Sequence, residues 1–255
     1  MSSNIWTPDA LSSEATSANG SCWRVVESQH HVSTAKLTDT AEEQNRLEDL
    51  IEGSKPPIPE ECRELHYLLF TPFRYGAAYP NGSRFRRPGM SLGVFYASVR
   101  PETAIAEMAF YRLLFFAESP ATPWPGNPGE YSVFSAEYAT GRAIDLTGAP
   151  LNRQKDIWTH KTDYSGCQSL ADAARTANLD LIKYESVRCP NRGTNLAILC
   201  CRVFTKPEIG DRQTWHIQLS SSGARLICEF PKFVLNFDRT IFASDQRISQ
   251  MVWDR

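Results

Sequence analysis

The stretch that decides the fold is SRFRRPGMSLGVFYASVRPETAIAEMAF, residues 83–110. It opens on an arginine-rich segment that ends in Pro-Gly, which is typical of a loop. The apolar run that follows predicts a strand over 90–98, with Tyr96 near its end. A helix is predicted over 101–116, because proline is favoured in a first turn, where a missing N–H costs little. Since this helix carries Glu107 in an otherwise apolar run, the segment combines cations, an aromatic ring and one carboxylate.

Around this stretch, helices and strands are interspersed without a regular strand–helix–strand rhythm, which favours an α+β fold over a doubly wound sheet. Residues 1–20 are polar and predict a flexible N-terminal arm, and residues 21–255 predict a single domain. The remaining patterns predict strands over 22–27, 131–138, 142–146, 179–185 and 195–204, helices over 38–52, 60–67 and 168–178, a loop over 70–89, and one or two strands beyond Trp215.

The composition bounds the kind of protein. Apolar residues make up 42% and charged residues 22% of the 255 residues, both ordinary for a soluble globular protein. The net charge of −2 gives no drive toward nucleic acid or an anionic membrane, so we expect neither as a direct partner. No apolar run reaches the length of a membrane span, and the first residues do not have the pattern of a signal peptide.

Cysteines and histidines argue against two further kinds of site. The seven cysteines show no Cys-x-x-Cys pair and no framework spacing, and two of them are adjacent at 200–201. This pattern favours reduced thiols in a cytoplasmic protein. The five histidines lack the spacing of zinc ligands, so no metal is assigned.

The arginine-rich loop has two interpretations. The planar fork of arginine suits a diphosphate better than the point charge of lysine does. The simpler alternative is a solvated basic turn. In an extended chain, alternation would send Arg84 and Arg86 to one face and Arg87 to the other, so at least one of the three should be structural or exposed.

Tyr96 and Glu107 also have alternative roles. Tyr96 fits a core or rim position, or it stacks on a flat ring with its hydroxyl as a polar handle. A carboxylate on a mainly apolar helix is costly to bury without a partner. Glu107 therefore lies on a narrow solvent-exposed face of the helix, or it belongs to a functional site. With the arginines, these groups match what an anionic nucleotide that ionises at a ribose would need.

Three more residues are candidates. Ser186 follows a predicted strand and is either a strand-end hydroxyl or a site residue, but it has no Gly-x-Ser-x-Gly setting that would support a hydrolase nucleophile. Asn195 opens the next strand, where the simpler role is to satisfy a turn. Arg24 lies within the first predicted strand, and an arginine inside a sheet needs a partner or a ligand. No phosphate-binding glycine loop occurs.

In their order, these residues resemble the RES domain, a family named after an arginine, a glutamate and a serine. The resemblance covers roughly residues 22–204 and is strongest in three blocks: the Trp-Arg opening strand, the Ser-Arg-Phe…Tyr-Ala-Ser…Glu block and the Ser…Pro…Thr-Asn-Leu block. The chain departs from short members of the family by its N-terminal arm, an insert near 36–79 and a C-terminal extension after 206.

The resemblance implies a role for each matched residue. Arg24 would join the arginines that bind substrate, and Asn195 matches an asparagine often found after the family's serine. The resemblance assigns the arginine to Arg84, or alternatively to Arg86, the tyrosine to Tyr96, the glutamate to Glu107 and the serine to Ser186.

RES domains are similar to the catalytic domains of ADP-ribosyltransferases, so the resemblance implies mixed sheets with flanking helices and NAD⁺ as a consumed substrate. It implies an NAD⁺-degrading toxin of a type II toxin–antitoxin system that cleaves the nicotinamide–ribose bond, with phosphate or water as acceptor. It also implies a cognate antitoxin of the Xre type as partner. Two alternatives stay open: transfer of ADP-ribose to a protein target, and a non-enzymatic module whose arginine loop binds nucleic acid. A homo-oligomer is also left open.

Overall fold

The computed structural model describes residues 6–28, 34, 36–75, 82–89 and 92–254. Residues 1–5 of the predicted arm, 76–81 of the predicted loop and 90–91 of the predicted strand lie outside the described residues. The helices are α1 (Pro8–Ser13), α2 (Ala41–Ser54), α3 (Tyr67–Arg74), α4 (Pro101–Glu118), α5 (Lys155–Trp158), α6 (Ser165–Thr176) and α7 (Gln246–Ser249). Short 3₁₀ helices span Glu60–Cys62, Leu151–Gln154 and Cys201–Val203. The strands are β1 (Thr16–Glu27), β2 (Phe95–Ser98), β3 (Gly129–Asp145), β4 (Leu181–Glu185), β5 (Thr194–Ile198), β6 (Arg212–Ser220), β7 (Gly223–Cys228) and β8 (Phe233–Asp238).

These strands form one sheet in the order β1-β2-β5-β4-β3-β6-β7-β8. β1 pairs with β3 as well as with β2, so the first five strands close into a ring and β6–β8 extend the sheet beyond it. β3 and β4 run parallel, whereas the other pairs are antiparallel. Helices and strands are mixed around a sheet-based core, as expected for an α+β fold.

β3 joins the parts of the sheet. Its residues 129–134 pair with β6, residues 131–143 with β1 and residues 143–145 with β4. The sequence predicts two strands here, because Ala-Thr-Gly at 139–141 interrupts the apolar alternation. The structure instead has one strand, since β1 supplies backbone hydrogen bonds across the interruption and these do not depend on side-chain polarity.

The segment before residue 21 corrects the prediction of a flexible arm. Thr7 caps α1, because its hydroxyl accepts a hydrogen bond from the Ala10 N–H at 3.2 Å. Leu11 on that helix is fully buried. β1 then begins at Thr16, and most of its first half is exposed, so its order comes from pairing with β3 rather than from apolar residues. Composition carries no signal for such a strand.

The insert near 36–79 contains two helices. α2 begins after Thr40, whose hydroxyl accepts from the Glu43 N–H at 3.2 Å, while the Glu43 carboxylate accepts from the Asp39 N–H at 3.0 Å. The pair is similar to a capping box, except that Glu43 accepts from the N–H of Asp39, the residue before the N-cap Thr40. α3 lies partly in the predicted loop. The loop is predicted because residues 70–89 have no steady hydrophobic period. The helix forms nonetheless, and Leu69 on α3 is fully buried and stabilises it.

α4 lies in the apolar core formed with the C-terminal strands. The large buried members of this core include Ile105, Phe110, Leu113, Trp215, Leu226 and Phe242. Burying one such side chain contributes about 1.5–3 kcal/mol. Because several of its faces are covered, α4 is apolar along most of its length, and its predicted span is confirmed to within two residues at the C-terminal end. This packing fixes the helix that carries Glu107.

A disulfide corrects the prediction of reduced thiols for two of the seven cysteines, whereas the other five are free. Cys62 and Cys201 are joined, with a Cα–Cα distance of 6.1 Å. They are 139 residues apart in the sequence, so no local spacing announces the pair. Both lie in 3₁₀ helices that pack under the core of the sheet.

Candidate active site

Glu107 is held by neutral donors. Its Oε1 accepts hydrogen bonds from Ser186 Oγ at 2.6 Å and from Asn195 Nδ2 at 2.7 Å. Among the described residues, no donor reaches Oε2, and no lysine or arginine forms a salt bridge with this carboxylate. The carboxylate is therefore oriented without being neutralised. The structure thus brings together three residues that the sequence placed far apart.

Asn195 is itself oriented by the sheet. It lies on β5, opposite Ser98 on β2 and opposite Tyr184 on β4. Ser98 Oγ donates to Asn195 Oδ1 at 2.6 Å, which turns the amide NH₂ toward Glu107. Ser98 and Asn195 are both buried, so the bond that holds the amide is protected from water.

Ser186 is fixed by the loop that follows β4. Its Oγ, which donates to Glu107, accepts from the backbone N–H of Cys189 at 2.9 Å and of Arg188 at 3.3 Å. Its own N–H donates to the Gly193 carbonyl at 2.7 Å. The orientation of the Glu107 carboxylate therefore depends directly on the conformation of residues 186–193.

Gly193 lets this loop approach α4 closely. A Cβ at that position would lie 2.1 Å from Oγ1 of Thr103, a buried residue on α4. Real Cβ atoms do not reach such a distance, so the loop and helix meet only because residue 193 has no side chain. Glycine here sets the separation between the Ser186 loop and the Glu107 helix.

Tyr96 supports the arginine loop. The hydroxyl hydrogen bonds with Ser83 Oγ at 2.8 Å and accepts from the Phe85 N–H at 2.9 Å. Ser83 and Arg86 pair through two backbone hydrogen bonds, so residues 83–86 form a tight turn. Burial raises the pKa of Tyr96, while these hydrogen bonds and nearby arginines act in the opposite direction. The Tyr96 hydroxyl thus holds the turn against β2.

The three arginines of the loop have different environments. Arg84 is buried, donates from Nη1 to the Trp158 carbonyl at 2.7 Å and stacks over Tyr164 at 4.6 Å. Within the described ranges, its Nε and Nη2 reach no acceptor. Arg86 is also buried and donates to the Tyr75 carbonyl at 3.2 Å.

Arg87 differs from both. It forms an ion pair with Asp172 at 2.5 Å and also donates to Ser169, and its side chain is 43% exposed. The expectation that one of the three arginines is structural or exposed is met by this residue.

Arg24, which the resemblance implies as a substrate-binding residue, has contacts within the sheet. Its Nη1 donates to the Tyr96 carbonyl at 2.8 Å, and its guanidinium lies 4.8 Å from the Phe95 ring centroid. Because neighbouring residues on a strand point to opposite faces, Phe95 and the side chain of Tyr96 lie on opposite sides of the sheet. Arg24 thus lies on the far side from Tyr96 and finds its partner within the sheet.

Tyr184 is a residue of the site that sequence reasoning missed. It is buried, its ring meets Phe85 of the arginine turn at 4.9 Å, and it lies opposite Asn195. Burial raises its pKa strongly, the charge of Glu107 raises it further, and Arg84 lowers it. The Phe85 contact and the pairing with Asn195 place Tyr184 beside both the arginine turn and the residue that orients Glu107. Its position two residues before Ser186, hence on the same strand face, was the available signal.

A cavity of about 410 Å³ adjoins the site. Ser186 lies in its wall, which also carries Lys155 and Lys161. In the described part of the chain, no cluster of three or more His, Cys, Asp or Glu side chains is suited to hold a metal ion. None of the helices described is both long and apolar enough to cross a bilayer.

Comparison with known proteins gives the family. The RES domain family matches residues 58–220, more than half of the chain. A search of curated proteins finds no match. Among solved structures, the chain is similar to the crystal structure of the M. tuberculosis MbcT–MbcA toxin–antitoxin complex, at 12% identity and a TM-score of 0.48. The alignment covers 83% of this chain and 91% of that one.

The family match coincides with the site. Its range includes the arginine turn, Glu107, Ser186 and Asn195, and the resemblance read from the sequence named the same family. The chain belongs to the RES domain family.

Proposed function

We propose that this RES domain cleaves the bond between nicotinamide and ribose in NAD⁺. The observation that carries the proposal is the Glu107 carboxylate, which is half-buried on an apolar helix and oriented by Ser186 and Asn195 without a cationic partner among the described residues. Members of the family consume NAD⁺ in general. We propose also that the fold of this chain is similar to that of the ADP-ribosyltransferase catalytic domains.

Glu107 would stabilise the positive charge that develops on the ribose. As the C1′–N bond breaks, its electron pair goes to the pyridinium nitrogen and nicotinamide leaves as a neutral molecule. The ribose then resembles an oxocarbenium ion, as in glycoside hydrolysis. Glu107 Oε2 would face this cation, and an oriented carboxylate in a partly dry site stabilises such charge strongly. Ser186 and Asn195 would keep the carboxylate in place.

Arg84 would bind the diphosphate. Its Nε and Nη2 have no acceptor within the described part of the chain, and its third nitrogen is anchored on a carbonyl. That leaves one edge of the guanidinium for a bidentate contact with phosphate oxygens. Arg86 lies in the same turn, and Tyr96 holds the turn in position. Tyr184 would separate the diphosphate end from the ribose end.

The acceptor is water or inorganic phosphate. Water would lose a proton and give ADP-ribose, whereas a phosphate oxygen would bond to C1′ and give a phosphorylated ADP-ribose. The test is incubation of the purified protein with NAD⁺, with and without phosphate, and resolution of the products. Label from NAD⁺ on protein would instead indicate transfer to a protein target. No NAD⁺ loss with salt-sensitive nucleic-acid binding would favour a binding module.

The physiological role proposed is that of a toxin held inactive by a cognate Xre-type antitoxin in the cytoplasm. The support is membership of the RES family, since free NAD⁺ cleavage would be costly to a host cell. Expression of the wild type alone should slow growth and lower cellular NAD⁺, and Glu107→Ala should do neither. Unchanged growth and NAD⁺, together with an inert purified protein, would overturn the toxin role.

A further inference from the structure

The C-terminal segment, residues 221–254, lies beyond the part of the chain that matches the RES family. It nevertheless packs against the helix that carries Glu107, because α7 contacts α4 and Phe242 lies against Phe110 at a centroid distance of 5.6 Å. The segment therefore adjoins the proposed site, although nothing in the family match accounts for it.

Arg188 connects this segment to the site. Its backbone N–H donates to Ser186 Oγ at 3.3 Å, and its guanidinium lies 3.7 Å from the ring centroid of Phe110, which is three residues after Glu107. Nη2 donates to the Lys161 carbonyl at 2.6 Å. A single buried side chain thus contacts the loop of Ser186 and the helix of Glu107.

Asp245 fixes Arg188. Its Oδ2 accepts from Arg188 Nη1 at 2.7 Å, and the two side chains are 1% and 2% exposed. The same carboxylate accepts from the backbone N–H and the Nε of Arg247, both at 3.0 Å, so it also begins α7. A buried pair of this kind keeps its geometry because a displaced partner would leave an uncompensated charge.

We propose that Asp245 is a positioning residue, which acts through Arg188 to hold Ser186 and Glu107 in register for the reaction. The inference rests on the proposed NAD⁺ cleavage. It assigns the C-terminal segment a part in the site. Asp245 fixes the position of the Arg188 guanidinium, and Arg188 in turn positions the Ser186 loop and the Glu107 helix. The Ser186 hydroxyl then orients the Glu107 carboxylate.

The test compares Asp245→Asn with Asp238→Asn. The control carboxylate lies in the same segment and also caps backbone, since it accepts from the Thr240 N–H at 2.9 Å, but it is exposed and does not contact Arg188. Asp245→Asn should lower kcat for NAD⁺ cleavage on the order of tenfold to a hundredfold, the size of effect that misplacement by an ångström produces. KM should change little, and Asp238→Asn should leave both unchanged.

A double-mutant cycle keeps the test decisive if one variant is unstable. Arg188→Met combined with Asp245→Asn removes both buried charges and should lower kcat no more than Arg188→Met alone, because Asp245 acts through that arginine. Losses that multiply, or a kcat for Asp245→Asn equal to that of Asp238→Asn, would overturn the inference.

Hydrogen exchange separates this inference from the proposed function. The amides of Arg188 and Cys189 bond to Ser186 Oγ and report the loop geometry without any substrate. They should exchange faster in Asp245→Asn than in wild type or Asp238→Asn. A wild type that spares NAD⁺ would defeat the proposed reaction alone, whereas unchanged exchange at these two amides would defeat the positioning role alone.

Discussion

Glu107 and Asp245 are two carboxylates that hold the same loop and differ in their partners. Glu107 accepts from a hydroxyl and an amide, whereas Asp245 accepts from the guanidinium groups of Arg188 and Arg247. Neutral donors orient a carboxylate and leave its charge to act on something else. Two arginines compensate the charge and make the group structural. The partners, more than the burial, distinguish the carboxylate that we propose acts on the substrate from the structural one.

The arginine turn repeats the comparison with the opposite charge. Arg87 is paired with Asp172, whereas Arg84 is held by a carbonyl and an aromatic ring. A carbonyl and a ring position the guanidinium without cancelling its charge. We therefore expect substitutions at Glu107 and Arg84 to act directly on the substrate and those at Asp245 to act on turnover only through the position of Ser186. Substitutions at Arg87 should change activity little, because its charge is engaged by Asp172.

The largest effect is expected at Glu107. Glu107→Gln keeps the shape and an acceptor but loses the charge, so NAD⁺ turnover should fall roughly a hundredfold to a thousandfold, as when a preorganised electrostatic contact is removed. Steady-state product formation measures this, with circular dichroism to check the fold. Glu102→Gln, on the same helix in a surface pair with Arg100, is the control. Near-normal turnover in a folded Glu107→Gln protein would remove this carboxylate from the mechanism.

The arginines should differ next. Arg84→Lys keeps the charge but loses the planar fork, so NAD⁺ should bind about tenfold more weakly, the equivalent of one charge-assisted hydrogen bond. Arg87→Lys should bind NAD⁺ nearly as wild type does, because its charge is engaged by Asp172. Calorimetric titration in a Glu107→Gln background, which should consume the ligand far more slowly than wild type, measures both. The reverse ranking would show that the family's arginine is not Arg84.

Local patterns and the family resemblance could predict part of this site. The helix over 101–116 follows from Pro101 and an apolar run, and the family resemblance points to Glu107, Ser186 and Asn195, which the structure places in contact. The link between Ser186 and Asp245 could not be predicted, since Arg188 and Asp245 are 57 residues apart and no periodicity relates them. The side of the sheet on which Arg24 lies could not be predicted either, because alternation shows that two residues face opposite sides but not which side holds the site.

The fold was predictable to a similar depth. Strands that bury one face were found, and β1 before residue 22 was missed because it is ordered by pairing with β3. The three strands from Arg212 were underestimated because the last one is largely exposed and so lacks the alternation of a half-buried strand. In both places backbone pairing, long-range for β1 and within a hairpin for β8, decides the structure and leaves no trace in local composition.

A smaller effect is expected at Gly193, which tests the distance between the two halves of the site. Gly193→Ala places a methyl group against Thr103 and should cost about 1–3 kcal/mol of stability, typical of overpacking. It should also lower activity, since the Ser186 loop must move away from α4. Thermal denaturation and turnover measure the two effects. Gly126→Ala, with no atom within 4 Å of the added Cβ, is the control, and equal behaviour of both variants would refute the close approach.

The smallest effect is a pH dependence that would sharpen the contrast between the two carboxylates. Burial alone would raise the pKa of Asp245, but the hydrogen bonds from Arg247 and the charge of Arg188 outweigh it and hold the pKa below its ordinary value. Because the pKa of this carboxyl is lower in the folded than in the unfolded state, its charge stabilises the fold. The stabilisation is complete at pH values above the unfolded-state pKa of about 3.9, and it is lost as the pH falls through the folded-state pKa. The free energy of unfolding of wild type should therefore exceed that of Asp245→Asn most at pH 5 to 7, and the gap should narrow below about pH 4.

Urea denaturation across this pH range measures the gap, and substitution of an exposed carboxylate, Asp211→Asn, is the control. A gap that stays constant down to about pH 2 would mean that the charge of Asp245 does not stabilise the fold. At that pH the carboxyl is protonated in the unfolded state, so a gap that depends on its charge would already have narrowed.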